Sequence, residues 1–208
     1  MPSEPSSTNQ SPSQSIVIVS GLPRSGTSMM MQMLQSGGLE VLTDKIREAD
    51  DDNSRGYLEF DPVKRTKHDP SWLEDAAGKA VKMVHVLLRD LPTDRAYHVI
   101  FMRRNLDEAL ASQAVMLKRL GREGAALPTA KLAAIFDRQL QEILTYMSEK
   151  TCFKVLEIWY NRVVSEPLVQ AEAVNKFLDG QLDPRAMAAV VEPALYRQKH
   201  KSNFRITA

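Results

Sequence analysis

The chain has 208 residues, enough for one domain of ordinary size, and 43% of them are hydrophobic, enough to build a buried core. Its 27 basic and 26 acidic residues leave a formal net charge of +1, which argues against binding nucleic acid through bulk charge. A single cysteine, Cys152, excludes an internal disulfide framework and disfavours a thiolate zinc site. No apolar run reaches the roughly 20 residues that span a bilayer, and the opening residues have neither the basic start nor the apolar stretch of a secretory signal. These features together predict a cytoplasmic protein with no membrane or nucleic-acid partner.

Residues 1–15, rich in Ser, Pro, Gln and Asn, have too little apolar surface to offset their ordering entropy and are expected to be disordered. Order is expected to begin at Ile16-Val17-Ile18-Val19, a β-branched run apolar on both faces, as a central parallel strand requires. A Gly/Pro/Ser-rich turn follows, then a helix over 27–35 that Gly37-Gly38 ends. A short strand is expected over 38–42, a loop or lid over 44–56, and helices over 57–67 and 71–77. Strands are read at 80–85, 98–102 and 153–158. Helices are read at 106–120, with an apolar stripe, at 127–148 with Pro128 near its start, and at 167–178. A last helix over 183–191 has Asp183 as N-cap and Pro184 at its first position. Strands separated by helices imply right-handed crossovers and a parallel sheet covered on both faces, so one α/β domain is predicted over 16–208.

The segment Gly21-Leu22-Pro23-Arg24-Ser25-Gly26-Thr27-Ser28 lies between a predicted strand and a predicted helix, with the glycine spacing of a phosphate-binding loop. Two glycines let the backbone wrap an anion, successive N–H groups point inward, and the helix N-terminus adds its positive end. In a nucleoside triphosphatase a lysine would stand where this chain has Thr27; here the cation is Arg24, three residues upstream. A Mg-nucleotide enzyme also needs a carboxylate at the end of a neighbouring strand. The strand at 98–102 instead runs into Arg103-Arg104, Lys82 stands in another strand, and Glu157 lies within rather than at the end of the last one. This pattern favours a phospho-donor that needs no metal. Lys82 in an apolar strand is hard to explain as packing, because an unpaired buried ammonium is costly; a place at the strand's active end resolves the difficulty.

Two motifs about 80 residues apart resemble the sulfotransferase family that uses 3′-phosphoadenosine 5′-phosphosulfate. Pro23-Arg24-Ser25-Gly26-Thr27-Ser28 is similar to that family's loop for the 5′-phosphosulfate. Arg104-Asn105-Leu106-Asp107-Glu108-Ala109-Leu110-Ala111-Ser112 is similar to its R-N-P-x-D-x-x-x-S segment, with Leu106 in place of the usual proline. The resemblance implies a three-layer α/β/α P-loop-type fold with a central, mainly parallel sheet. It implies this donor as co-substrate, no metal, and a small-molecule or carbohydrate acceptor whose pocket residues 40–78 and 120–150 are expected to shape. Arg104 and Ser112 inherit the 3′-phosphate role, and Arg197, in a late basic cluster, is a further candidate donor contact.

Sulfuryl transfer needs an in-line acceptor, a base for its proton, and stabilisation of charge on the bridging oxygen and the departing phosphate. Arg24, the loop amides, Thr27, Ser28 and Lys82 suit the last task. Two residues compete for the base. His85 follows Lys82 by three positions where some family members have two, and strand alternation would turn it the other way. Glu59, in Asn53-Ser54-Arg55-Gly56-Tyr57-Leu58-Glu59, resembles an N-x-x-G-Y-x-E segment of bacterial members and is the favoured choice. A P-loop kinase of a small metabolite and a non-catalytic nucleotide-binding homologue remain as alternatives.

Overall fold

The computed structural model describes residues 15–44, 56–122, 124 and 127–193. Residues 1–14 of the expected disordered tail, the bulk of the proposed lid and Arg197 lie outside these residues; Ser15, placed in that tail, is buried, its carbonyl accepting from Gly78 N–H at 3.1 Å. Four parallel strands form the sheet: β1 (Ile16–Gly21), β2 (Ala80–Lys82), β3 (Tyr97–Arg103) and β4 (Phe153–Trp159), in the order β2-β1-β3-β4. The chain therefore leaves β1 to one side for β2 and returns to the other for β3. A crevice opens beyond the carboxyl end of β1, where ligands of open α/β sheets bind.

All six residues of β1 are buried, as its two-faced apolar sequence requires. Side-chain alternation divides them between two cores. Ile16 and Ile18 join Val81, Val99 and Phe101 beneath α3 (Thr129–Ser148), which contributes Leu140, Ile143 and Met147. Val17 and Val19 join Ile100, Met102 and Ile158 on the opposite face. There they pack against α1 (Thr27–Ser36), α4 (Tyr160–Ser165), α5 (Pro167–Phe177) and α6 (Pro184–Ala189). The result is the expected three-layer α/β/α arrangement. The remaining helix, α2 (Leu106–Arg119), follows β3, and Leu106 packs against the α3-side core. No helix among the described residues is long and apolar enough to cross a membrane.

Caps read from sequence hold where the interaction is local. The Asp183 carboxylate accepts from the N–H groups of Arg185 and Ala186 at 2.9 and 3.2 Å and starts α6. Other expectations need correction. The strand over 38–42 is reduced to a single bridge between Val41 and Ala80. The helix over 57–67 is an extended segment followed by a 3-10 helix over Asp61–Arg65, because Gly56 and Leu58 take left-handed φ values of 83° and 47°. The strand over 80–85 stops at Lys82, and a 3-10 helix begins at His85 (His85–Asp90). The short helix α4, directly after β4, was not expected at all.

Candidate functional site

A cavity of about 430 Å³ occupies the crevice at the end of β1. Its first wall is the β1–α1 loop. Gly21, the last residue of β1, lies so close against β3 that a Cβ there would stand 2.6 Å from the Met102 carbonyl oxygen. Arg24 adopts a left-handed φ of 67°, a conformation that a non-glycine residue holds only at a cost. Ser25 closes the turn, its N–H and hydroxyl both donating to the Leu22 carbonyl at 3.2 and 2.7 Å. Gly26, the N-cap of α1, has φ 96°, and a Cβ there would lie 2.5 Å from the Tyr160 ring. Within α1 the first helical hydrogen bond is Met30 N–H to the Gly26 carbonyl, so the turn that presents Thr27 and Ser28 to the cavity has its N–H groups at the positive helix end.

The second wall comes from the start of α2. Asn105 caps it, its side-chain oxygen accepting from the N–H groups of Asp107 and Glu108 at 2.9 and 3.2 Å. Glu108, at the third helical position, accepts from Arg104 Nε at 3.3 Å, with both side chains 7% exposed. Arg104 donates through Nη1 to the Arg24 carbonyl at 2.9 Å and lies over the Tyr160 ring, 4.4 Å from its centroid. Arg24 in turn donates through Nε to the Ser112 hydroxyl at 3.0 Å. The two sequence motifs, separated by about 80 residues, thus form one hydrogen-bonded unit.

The third wall is the end of β2 with the segment at 56–60. Lys82 donates to Ser28 Oγ at 3.2 Å, to the Tyr57 carbonyl, and to Glu59 Oε1 at 3.4 Å. Its side chain is 11% exposed and that of Glu59 35%. The Glu59 backbone is fixed separately, its carbonyl accepting from Thr43 Oγ1 at 2.9 Å and from Asp44 N–H at 3.1 Å. Lys82 therefore has the partners that a buried ammonium requires, and a position on the cavity.

Pro23, Arg24, Gly26, Thr27, Ser28, Glu59, Lys82, Arg104 and Ser112 all line this cavity. Ser25 and His85 do not: Ser25 is turned into the loop, 1% exposed, and His85 is 4% exposed. His85 Nε2 lies 3.1 Å from Gln139 Oε1 of α3, and burial pulls the imidazole below its ordinary value, toward the neutral form. It points away from the cavity because the strand has already ended, not because of strand alternation. Arg103, the last residue of β3, pairs with Glu157 of β4 at 2.6 Å and lies over Trp159. The pocket draws on 56–64 but on none of the described residues of 120–150, and takes instead Met83, Val84, Leu87 and the middle of α2. Tyr57 and Tyr160 line it and were missed by sequence reasoning. Tyr160 had one available signal: it follows the carboxyl end of a parallel strand, where ligands of such folds bind.

Among solved structures, the chain is similar to a sulfotransferase domain from the curacin biosynthetic pathway, with a TM-score of 0.53 and 14% identity over 88% of this chain and 89% of that one. It is also similar to a sugar kinase from Janibacter sp., with a TM-score of 0.41 and 13% identity over 88% and 98% of the two chains. No family model and no curated protein matches. The first similarity is one of fold, and the chain has the P-loop-type α/β/α architecture.

Proposed function

We propose that this chain is a transferase that moves a sulfuryl group from 3′-phosphoadenosine 5′-phosphosulfate to a hydroxyl or amine of a small-molecule or carbohydrate acceptor. The observation that carries the reading is the meeting of the two phosphate motifs: Arg104 on the Arg24 carbonyl at 2.9 Å and Arg24 on Ser112 at 3.0 Å, at the lip of one cavity. A donor with phosphates at both ends of a ribose needs two anion sites a few ångströms apart. The loop with the α1 N-terminus supplies one, and Arg104 with Ser112 the other.

In this reading the acceptor oxygen attacks sulfur in line. The new O–S bond forms as the S–O bond to the 5′-phosphate breaks, and the electron pair leaves with the phosphate. Arg24, the loop amides and Lys82 stabilise that developing charge. Glu59 takes the acceptor proton, because it reaches the cavity beside Lys82 whereas His85 does not. The donor's charge is met by side-chain cations, so turnover is expected to survive excess chelator.

Thermal unfolding with 3′,5′-bisphosphorylated adenosine, Mg-ATP or 5′-AMP tests the donor class. At 100 times its dissociation constant the bisphosphate should add about 2.7 kcal/mol to stability, raising Tm by roughly 5–10 °C in a chain of this size. A rise with Mg-ATP alone, or with none of the three, would overturn the reading.

A further inference from the structure

We infer that the acceptor is an aliphatic alcohol, its carbon chain lying against an apolar wall that begins beside the Lys82–Glu59 pair. The inference rests on the sulfuryl-transfer reading and narrows its substrate class. Phe60 directly follows Glu59 in the chain, and Met83 and Val84 directly follow Lys82; all three line the cavity. Leu87 joins them from the 3-10 helix that starts at His85, and Val115 and Met116 face them from α2. Met116 also reaches the donor end, its sulfur 3.9 Å from Arg24 Nη1. The wall is therefore continuous with the place where the acceptor hydroxyl has to stand.

Two features select the chemistry. Val84 and Val115 are 44% and 38% exposed, an apolar lining open to solvent that a bound hydrocarbon would cover. Five of these six side chains are flexible or branched aliphatics, and the single ring, Phe60, is already engaged edge-on with Trp72 at 6.1 Å. A saccharide would need several convergent hydrogen-bonding side chains here. Two further charged residues that line the cavity, Lys64 and Arg119, are exposed, and Lys64 is paired with Asp61. In the transfer the alcohol O–S bond forms, the S–O bond to the donor phosphate breaks, and the alcohol proton passes to Glu59.

Calorimetric titration of the full chain with 1-butanol, 1-hexanol, 1-octanol, phenol and glucose tests this, with 3′,5′-bisphosphorylated adenosine bound. Affinity should rise about fourfold per methylene from butanol to octanol, the burial value of one CH₂, with glucose giving no saturable heat. Turnover with donor should follow the same chain-length order in KM. Val84→Asn and Val115→Asn, both at exposed positions, should each weaken octanol binding about tenfold while leaving the bisphosphate-induced rise in Tm intact. No saturable heat with any alcohol, or phenol binding more tightly than hexanol, would overturn the inference while a bisphosphate shift kept the donor reading. Loss of the bisphosphate shift in both variants would assign the effect to the whole fold and overturn the wall. Alcohol binding without any bisphosphate shift in the unaltered protein would remove the donor reading, and the acceptor assignment with it.

Discussion

At the α2 wall of the cavity Arg104 and Glu108 pair at 3.3 Å, both 7% exposed; at the other end Lys82 and Glu59 pair at 3.4 Å, 11% and 35% exposed. The distances are nearly equal, but the constructions differ. The first pair spans four residues across a helix start that Asn105 caps, and the Arg24 carbonyl and the Tyr160 ring also engage the guanidinium. The second joins segments 23 residues apart, with Lys82 also shared between Ser28 and the Tyr57 carbonyl. A buried, locally fixed pair is expensive to break and cannot move far. A pair whose carboxylate is about a third exposed is cheaper to break, and Lys82 keeps Ser28 and the Tyr57 carbonyl when Glu59 leaves it for a substrate.

Stability measurements should expose this difference most strongly at Arg104. Arg104→Met leaves the Glu108 carboxylate buried without its cation and should cost about 3–5 kcal/mol in denaturant unfolding. The double variant Arg104→Met with Glu108→Met should regain most of that stability but not donor affinity. Equal loss in single and double variants would contradict the burial argument. Gly26→Ala comes next: a left-handed φ and a Cβ 2.5 Å from Tyr160 should together cost about 2–4 kcal/mol and weaken bisphosphate binding.

At the other end the expectation reverses. Glu59→Gln should change stability by less than about 1 kcal/mol, yet lower kcat by about 10²–10⁴. A variant with full turnover would remove Glu59 as the base.

The smallest effect concerns pH. Burial pulls both His85 and His98 below the ordinary value of 6.5, so each is held neutral in the folded state. The unfolded chain then binds more protons below that pH, and stability is full above about 6.5 and falls as the pH drops toward the folded values. Tm should fall between pH 7 and 5, and His85→Gln with His98→Gln should flatten the slope. An equally steep slope in that variant would assign the acid loss to other groups.

The same division governs what could be read in advance. The strand–loop–helix at 16–36 and the Arg104–Ser112 segment were legible because their signals are contiguous: a two-faced apolar run, glycines at set spacing, and an Arg-Asn pair leading into an apolar helical stripe. The stretch at 57–67 was misread as helix, because the left-handed backbone at Gly56 and Leu58 leaves little trace in side-chain pattern. His85 was placed on a strand that ends three residues earlier, since Met83 and Val84 continue the apolar character of β2 while the chain is already leaving the strand for the 3-10 helix that starts at His85. Tyr160 belongs to a helix whose sequence, Tyr-Asn-Arg-Val-Val-Ser, has little helical propensity.

By itself the sequence determined the layer architecture, the central strand, the glycine-spaced loop after it and the Asp183 cap of α6, because each depends on residues within a few positions of one another. Only the tertiary structure decided that Arg24 meets Ser112, that Lys82 meets Glu59 rather than His85, and that Tyr160 underlies both Gly26 and Arg104. Those contacts join segments that are adjacent only once the parallel sheet has put β1 between β2 and β3, and strand order, unlike helix spacing, is not written in any local stretch of the chain.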